Sequence, residues 1–170
     1  MWGGDCSTVQ QQLVDVEKIY ATPHGAFAAV KKDRTVVYWG NIRGNMTRQR
    51  LLNAEEKTCV IVSAFAAVTK DGRVACWGDE EWGGDCSEVQ EQLVEVEEIY
   101  ATYFAFAALK KDGTVVCWGD EESGGDCSEV QQQLVDVKKI YATTDAFAAL
   151  KKDGTVVRWG DDGKGGDCCG

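Results

Sequence analysis

Four copies of one short segment set the pattern of hydrophobic and polar positions along the chain. The copy at 105–119 reads AFAALKKDGTVVCWG, in which two apolar runs flank a polar Lys-Lys-Asp-Gly stretch. Asp-Gly between apolar runs predicts a β-hairpin, because Gly adopts the positive φ of the turn without steric cost. The first run is apolar at every position but its last, which predicts a strand buried on both faces. The other copies lie at 26–40, 64–78 and 146–160.

Three residue types recur at fixed places in these copies and are expected to build the core. The Phe of the first strand and the Trp of the second supply large apolar surfaces, and the turn glycine relieves backbone strain. Arg34 replaces this glycine in the first copy and is expected at positive φ. The structural residues predicted in this way are Phe27, Phe65, Phe106, Phe147, Trp39, Trp77, Trp118, Trp159, Gly72, Gly113 and Gly154.

The residue before each Trp varies from copy to copy, which predicts a solvent-facing position. It is Tyr38 in the first copy, Cys76 and Cys117 in the next two, and Arg158 in the last.

Upstream of most hairpins the chain reads Gly-Gly-Asp-Cys and then Ser-x-Val-Gln. Ser87 and Gln90 fit a capping box, which predicts a short helical turn, and a strand is expected near 96–102. One unit is therefore a helical turn plus three antiparallel strands, about 41 residues long, and tandem repeats of this length are typical of propellers and solenoids. We expect one repeat domain over 1–170, with units at 2–40, 41–81, 82–122 and 123–164 and a short overlapping tail at 165–170.

The hairpin sequence resembles the RCC1-type repeat. The resemblance covers all four units and rests on Asp112, Gly113, Val115, Trp118 and Gly119 and their copies, preceded by AFAAL and by stretches such as LVDVKKIYAT. The unit length is similar to that of compact bacterial β-lactamase-inhibitor propellers, and the GGDCSxVQxQL insert resembles algal RCC1-like arrays. The resemblance implies an all-β fold of propeller-like blades.

Four units are fewer than the seven blades of those relatives, so a partial, open or four-bladed arrangement is expected. Self-association, or completion of the ring by another chain, is one way to supply the missing blades. The nucleotide-exchange activity of RCC1 itself is not expected, because its interaction insertions have no counterpart in this sequence.

Composition narrows the partner class and the compartment. The formal net charge is −10, which argues against nucleic acid or an anionic membrane as the main partner. The eight cysteines include no CxxC pair, and most of them recur at one of two fixed places in the units, as a small residue copied by duplication would: Cys6, Cys86, Cys127 and Cys168 in GGDC, and Cys76 and Cys117 before Trp. Reduced cysteines in a reducing intracellular compartment are therefore expected, and Cys127→Ser is expected to fold normally. No targeting segment or apolar transmembrane run is visible.

Catalytic and metal chemistry have little support in the sequence. His24 is the one histidine and has no repeated nucleophile beside it, so no catalytic residue and no cofactor is expected. The acidic loops leave one alternative open, a calcium-binding or regulatory domain, because calcium is bound by clustered oxygen ligands. The carboxylates concerned are Asp79, Glu80, Asp85, Asp120, Glu121 and Asp126.

Positions at which the units differ are the best candidates for partner recognition. The turn before each hairpin varies most, and Tyr103 and Phe104 place two adjacent aromatics there, a residue type that interfaces favour. The loop at 41–52 has lost the GGDC motif and carries only basic charge; it has either decayed or become a site for an acidic surface. We therefore expect a non-enzymatic protein–protein interaction or structural module, such as a peripheral accessory subunit of a larger assembly. The candidate contact residues are Tyr103, Phe104, His24, Thr144, Asp145, Arg43, Arg48 and Arg50.

Overall fold

A computed structural model describes residues 5–21, 25–33, 35–40, 54–60 (backbone only) and 64–161. Their regular structure is almost entirely β, as the repeat predicted. The twelve strands are β1 (Val16–Ala21), β2 (Ala26–Lys31), β3 (Val36–Gly40), β4 (Ala54–Val60), β5 (Ala64–Thr69), β6 (Val74–Gly78), β7 (Val96–Ala101), β8 (Ala105–Lys110), β9 (Val115–Gly119), β10 (Val137–Ala142), β11 (Ala146–Lys151) and β12 (Val156–Gly160).

The strands form four separate three-stranded antiparallel sheets, one for each unit. We call them blades 1 to 4 in chain order: β1–β3, β4–β6, β7–β9 and β10–β12. In every blade the Phe of the middle strand lies opposite the Trp of the third strand, as Phe106 does opposite Trp118. These two rings are stacked in each blade, with centroids 5.1–5.6 Å apart. Four propeller-like blades therefore follow one another along the chain.

A short 3-10 turn at Gln10–Gln12 precedes blade 1, and others at Glu80–Trp82, Ser87–Val89 and Ser128–Gln133 lie between later blades. The capping box predicted for Ser87 is not formed, because Cys86 is the residue that precedes this turn and no side chain caps it. Instead the Gln90 amide reaches back to the preceding blade and donates to the carbonyl of Val74, at 3.1 Å. The glutamine therefore ties adjacent blades together.

Blades 2 and 3 pack their two faces against different neighbours, whereas blades 1 and 4 each pack one face against a described blade. The leading face is the one that meets the preceding blade, and the trailing face meets the following blade. Where blades 3 and 4 meet, the trailing face of blade 3 supplies Ala107, Leu109 and Val115, all buried. The leading face of blade 4, with the segment that enters it, supplies Leu134, Val137, Ile140, Phe147 and Trp159, also all buried. The middle strand is therefore apolar on both sides, as predicted, because it is covered on both sides.

In blades 1, 3 and 4 the residue directly before the first strand has a left-handed backbone conformation. Asp15, Glu95 and Asp136 have φ of 54°, 55° and 55°. At blade 4 the next residue, Val137, donates its amide to the carbonyl of Gly113 in the hairpin turn of blade 3, at 2.9 Å. A Cβ on Gly113 would lie 3.2 Å from the Cα of Asp136, so the turn and the left-handed residue fit closely.

The expectation that the cysteines are reduced is wrong for four of them, whereas Cys6 is free. Cys76 is joined to Cys86, and Cys117 to Cys127, with Cα atoms 6.0 and 6.1 Å apart. Each bond joins the residue before a Trp to the GGDC cysteine ten positions later, at the junction of two blades. The sequence analysis missed these bonds because it compared each cysteine only with the cysteines at the same place in the other units. The argument for a reducing compartment, which rested on reduced cysteines, therefore no longer holds. The variant Cys127→Ser would leave Cys117 without its disulfide partner.

The position before each Trp was also predicted wrongly, as solvent-facing. Cys76 is 6% exposed and Cys117 8% exposed. In blades 1 to 3 the residue lies on the trailing face against the next blade, where a disulfide and the half-buried Tyr38 both fit, and Arg158 in blade 4 is also half-buried. Arg34 lies outside the described residues, so its positive φ remains a prediction.

Among the described residues, no helix has the length and apolar character that crossing a membrane requires.

Candidate interaction face at the Trp-Gly end of the blades

One end of the blade stack is built from two kinds of connection, and we call it the Trp-Gly face. The first kind is the turn between the first and second strands of a blade, such as 102–104. The second is the loop after the Trp-Gly of the third strand, such as 120–127. Since the second and third strands are antiparallel, Ala105 lies opposite Gly119 and both connections emerge at the same end.

Hydrogen bonds hold the turn of blade 3 rigidly. The hydroxyl of Thr102 accepts a hydrogen bond from the amide of Ala105 and donates one to the carbonyl of Ser123. The amide of Asp120 donates to the carbonyl of Phe104 at 2.9 Å. The turn is therefore fastened to the loop beside it, and the side chains it carries stand on a fixed frame.

Three aromatic rings from two connections meet on this face. Phe104 packs against Trp82, with centroids 4.9 Å apart, and Tyr103 meets Phe104 edge-on at 6.2 Å. Tyr103 is 50% exposed, whereas Phe104 is half-buried. We call these three residues the aromatic cluster. Beside it lies a shallow depression of about 310 Å³, lined by Trp82, Phe104, Ser123 and the carboxylates of Asp120, Glu122, Asp145 and Asp161.

Several of the repeated acids have a structural use in the loops. The Asp79 carboxylate accepts a hydrogen bond from the amide of Glu81, and that of Asp120 from the amide of Ser123. Asp85 and Asp126 accept in the same way from the amides two residues later. These carboxylates therefore act as local caps, which explains why they recur in each unit.

Two acidic grooves run between neighbouring blades beside these loops. The groove at the second and third blades has a volume of about 490 Å³ and includes Glu80, Asp85 and Glu88. The groove at the third and fourth blades has about 550 Å³ and includes Glu121, Glu122 and Glu129, with Arg158 as its one described cation. Their walls favour a partner with basic groups.

The predicted contact residues are distributed unevenly on this face. Thr144 is exposed, and its carbonyl accepts a 2.8 Å hydrogen bond from the amide of Tyr103, which joins the turns of blades 3 and 4. Asp145 is 6% exposed and therefore offers little surface to a partner. Trp82 was missed by the sequence reasoning, although Trp2 occupies the same place before the first GGDC motif; in the next unit Ser123 stands there. His24, Arg43, Arg48 and Arg50 lie outside the described residues.

The acidic loops were also candidates for a metal centre. Within the described part of the chain, no group of three or more His, Cys, Asp or Glu side chains is arranged to hold a metal ion. The calcium alternative is therefore not developed.

At the opposite end of the blades, the hairpin turns hold their aspartates by hydrogen bonds. The hydroxyl of Thr114 donates to Asp112 at 2.6 Å, and the Thr114 amide donates to the same oxygen. These bonds lower the pKa of the Asp112 carboxyl below its ordinary value. Thr155 does the same for Asp153. The two carboxylates are structural parts of the turns.

Comparisons with known proteins bear on the fold. No family model matches the sequence, and no curated protein matches it. The structure is similar to that of Prp20p from Saccharomyces cerevisiae, with a TM-score of 0.51 and 17% identity over 79% of this chain and 41% of that chain. It is similar to human WBSCR16, with a TM-score of 0.51 and 17% identity over 85% of this chain and 47% of that chain.

A third similar structure is that of yeast RCC1 (Prp20) bound to Kap60, with a TM-score of 0.50 and 18% identity over 79% of this chain and 40% of that chain. The chain thus spans less than half the length of these proteins. Identities of this size establish the fold alone. The four blades have the RCC1-like repeat fold.

Proposed function

We propose that the chain is a non-enzymatic protein–protein interaction module of RCC1-like type, a peripheral subunit of a larger assembly. Proteins of the same fold support this class of function. The structure of Prp20p was described with its binding to Gsp1p and histones, and yeast RCC1 was solved with Kap60 bound.

The observation that carries the proposal is the aromatic cluster. Tyr103 presents half of its surface to solvent from a turn that is fastened on both sides, so little conformational entropy is lost when a partner covers it. Aromatic anchors of this kind supply much of the affinity at interfaces. The surrounding carboxylates and the two acidic grooves favour a basic protein surface, with charge setting mainly the association rate.

The two disulfides favour an oxidising compartment for this module. Its partner is then to be sought among proteins of that compartment.

Tyr103→Ala tests the proposal. The variant is expected to weaken partner binding by about 2 kcal/mol, the size of a hot-spot truncation. Its melting temperature should change little, because the removed ring is half exposed. Affinity capture with the wild-type chain, followed by quantitative mass spectrometry, identifies proteins that the variant no longer retains.

Val135→Ala is the matched control, since Val135 is 41% exposed and lies away from the aromatic cluster. A protein retained by the wild type and by this control, but lost with Tyr103→Ala, supports the proposal. If the same proteins are retained by all three chains, the aromatic cluster is not the interaction site. Phe104→Ala is less informative, because it also removes the packing of Trp82.

A further inference from the structure

Within the described part of the chain, the first and last blades each have one apolar face that no other blade covers, and the two faces are complementary. On blade 1 it is the leading face. Ile19 is 59% exposed there, whereas the equivalent Ile99 and Ile140 are 9% and 1% exposed because a preceding blade covers them. Leu13 and Val16 are half-buried, as are the two stacked rings of this blade, although their equivalents in blades 3 and 4 are buried.

On blade 4 it is the trailing face that is uncovered. Val156 is 55% exposed, whereas the equivalent Val115 is 1% exposed. Tyr141 is 53% exposed, although the equivalent Tyr100 packs into the junction of blades 3 and 4. A Cβ on Gly154 would meet nothing within 4 Å, whereas one on Gly113 would touch the next blade.

The structure already shows how such faces fit. At the junction of blades 3 and 4 a trailing face and a leading face of nearly the same sequence bury each other completely. We propose that the trailing face of blade 4 receives the leading face of blade 1 from a second copy of this chain. Two copies joined head to tail at both ends close a ring of eight blades, within the range that propellers form.

The register of this contact follows from the internal junctions. Each internal disulfide joins the residue before a Trp to the GGDC cysteine of the next blade. In the proposed contact the residue before Trp is Arg158 of one copy, and the GGDC cysteine that enters the receiving blade is Cys6 of the other. The chain's own Cys168, ten positions after Arg158, lies outside the described residues. Cys6 is a free, half-buried cysteine, and Asp5 beside it is exposed. The contact therefore places a guanidinium near a carboxylate where the internal junctions have a disulfide.

Light scattering on the purified chain gives the first readout. The wild type is expected at twice its chain mass of 18.6 kDa. Val156→Glu and Ile19→Glu each bury a charge in the contact and should weaken association by at least about tenfold, one tenfold step being about 1.4 kcal/mol. Val135→Glu is the control, because Val135 stays exposed beside a fully formed junction and should leave the mass unchanged.

An engineered cross-link gives the second readout and fixes the register. Arg158→Cys is made with Cys168→Ser and Cys169→Ser, so that position 158 cannot pair with Cys168, the GGDC cysteine ten positions later in its own chain, or with the adjacent Cys169. With glutathione disulfide as oxidant, the two thiols should form a bond between copies, and peptide mass spectrometry should find Cys6 linked to position 158. Adding Cys6→Ser should abolish it.

A wild-type chain that runs at its single mass at every concentration, with no linked peptide, overturns the proposal. A mass of two copies that Val156→Glu and Ile19→Glu do not reduce also overturns it, because association then uses another surface. These results do not depend on the partner site at Tyr103, which is tested by capture of a different protein. Circular dichroism melting of each variant shows whether the blades remain folded.

Discussion

The junction of blades 1 and 2 and the junction of blades 3 and 4 pack alike but are closed differently. In both, small residues of one trailing face lie against the Phe and Trp of the next blade. At the later junction the disulfide Cys117–Cys127 closes the Trp-Gly end. At the earlier one Tyr38 takes the place of the cysteine and packs against Phe65, with ring centroids 6.4 Å apart.

The two junctions also treat their tryptophans differently. The indole N–H of Trp159 donates to the carbonyl of Gly124 in the GGDC loop, at 3.1 Å, and Trp118 does the same with Gly83. The Trp77 N–H is buried without a hydrogen-bond partner among the described residues. Stacking of the apolar faces is therefore common to all junctions, whereas the GGDC loop adds a covalent bond and a hydrogen bond where it is present.

Removing the disulfide at the junction of blades 3 and 4 should change the stability of the chain more than any other variant that tests the difference between the two junctions. Cys117→Ala with Cys127→Ala should lower the free energy of unfolding by about 2–3 kcal/mol, because the unfolded chain regains the freedom of the closed loop. Urea unfolding with and without dithiothreitol measures the loss. Cys6→Ala is the control, since Cys6 stands at the equivalent of Cys127 and is free. An equal loss in both variants would show that cysteine burial matters rather than the bond.

Paired tryptophan variants should give the next largest effect. Trp118→Phe should cost about 1–2 kcal/mol more than Trp77→Phe, because of the two only Trp118 makes an indole hydrogen bond among the described residues, and its loss leaves the carbonyl of Gly83 without its donor. The two residues are 5% and 3% exposed, so the change in apolar burial is matched. Equal shifts of the urea midpoint would contradict the difference in bonding.

The smallest expected effect concerns Tyr38. Its hydroxyl is buried without a partner among the described residues, and this burial raises the pKa of the phenol. Tyr38→Phe should therefore stabilise the chain by about 1 kcal/mol, since an unsatisfied buried group is removed. Tyr100→Phe serves as the comparison, because the Tyr100 hydroxyl donates to Glu98 at 2.6 Å and should not show a gain. A loss of stability in Tyr38→Phe would mean that the hydroxyl is satisfied in solution.

The blades could be predicted from the sequence because their signals are local. Asp112-Gly113 marks a turn, and the runs on either side of it have strand composition, so hairpin and register follow from adjacent residues. Burial of the middle strand on both faces followed in the same way from the apolar residues on either side of each Phe.

The junctions could not be predicted, because their partners lie in different units. Whether Cys117 can bond to Cys127 depends on how blade 4 packs against blade 3. The spacing of the two cysteines in the sequence does not reveal that packing. Gln90 was assigned to a local capping box, and the structure gives it a carbonyl of the preceding blade instead. Glu95 has φ of 55° with no glycine to signal it. On the candidate site, Tyr103 and Phe104 were identified from composition, but their packing with Trp82 depends on the same placement of neighbouring blades.

The positions of the two disulfides also determine how the chain responds to mechanical force. Each bond spans ten positions and links the last strand of one blade to the segment that enters the next. Tension along the backbone therefore passes through the sulfur atoms and leaves the loop inside each bond slack. Under load the blades can peel apart strand by strand, but the acidic loops between them cannot be extended until a reductant cuts the bonds.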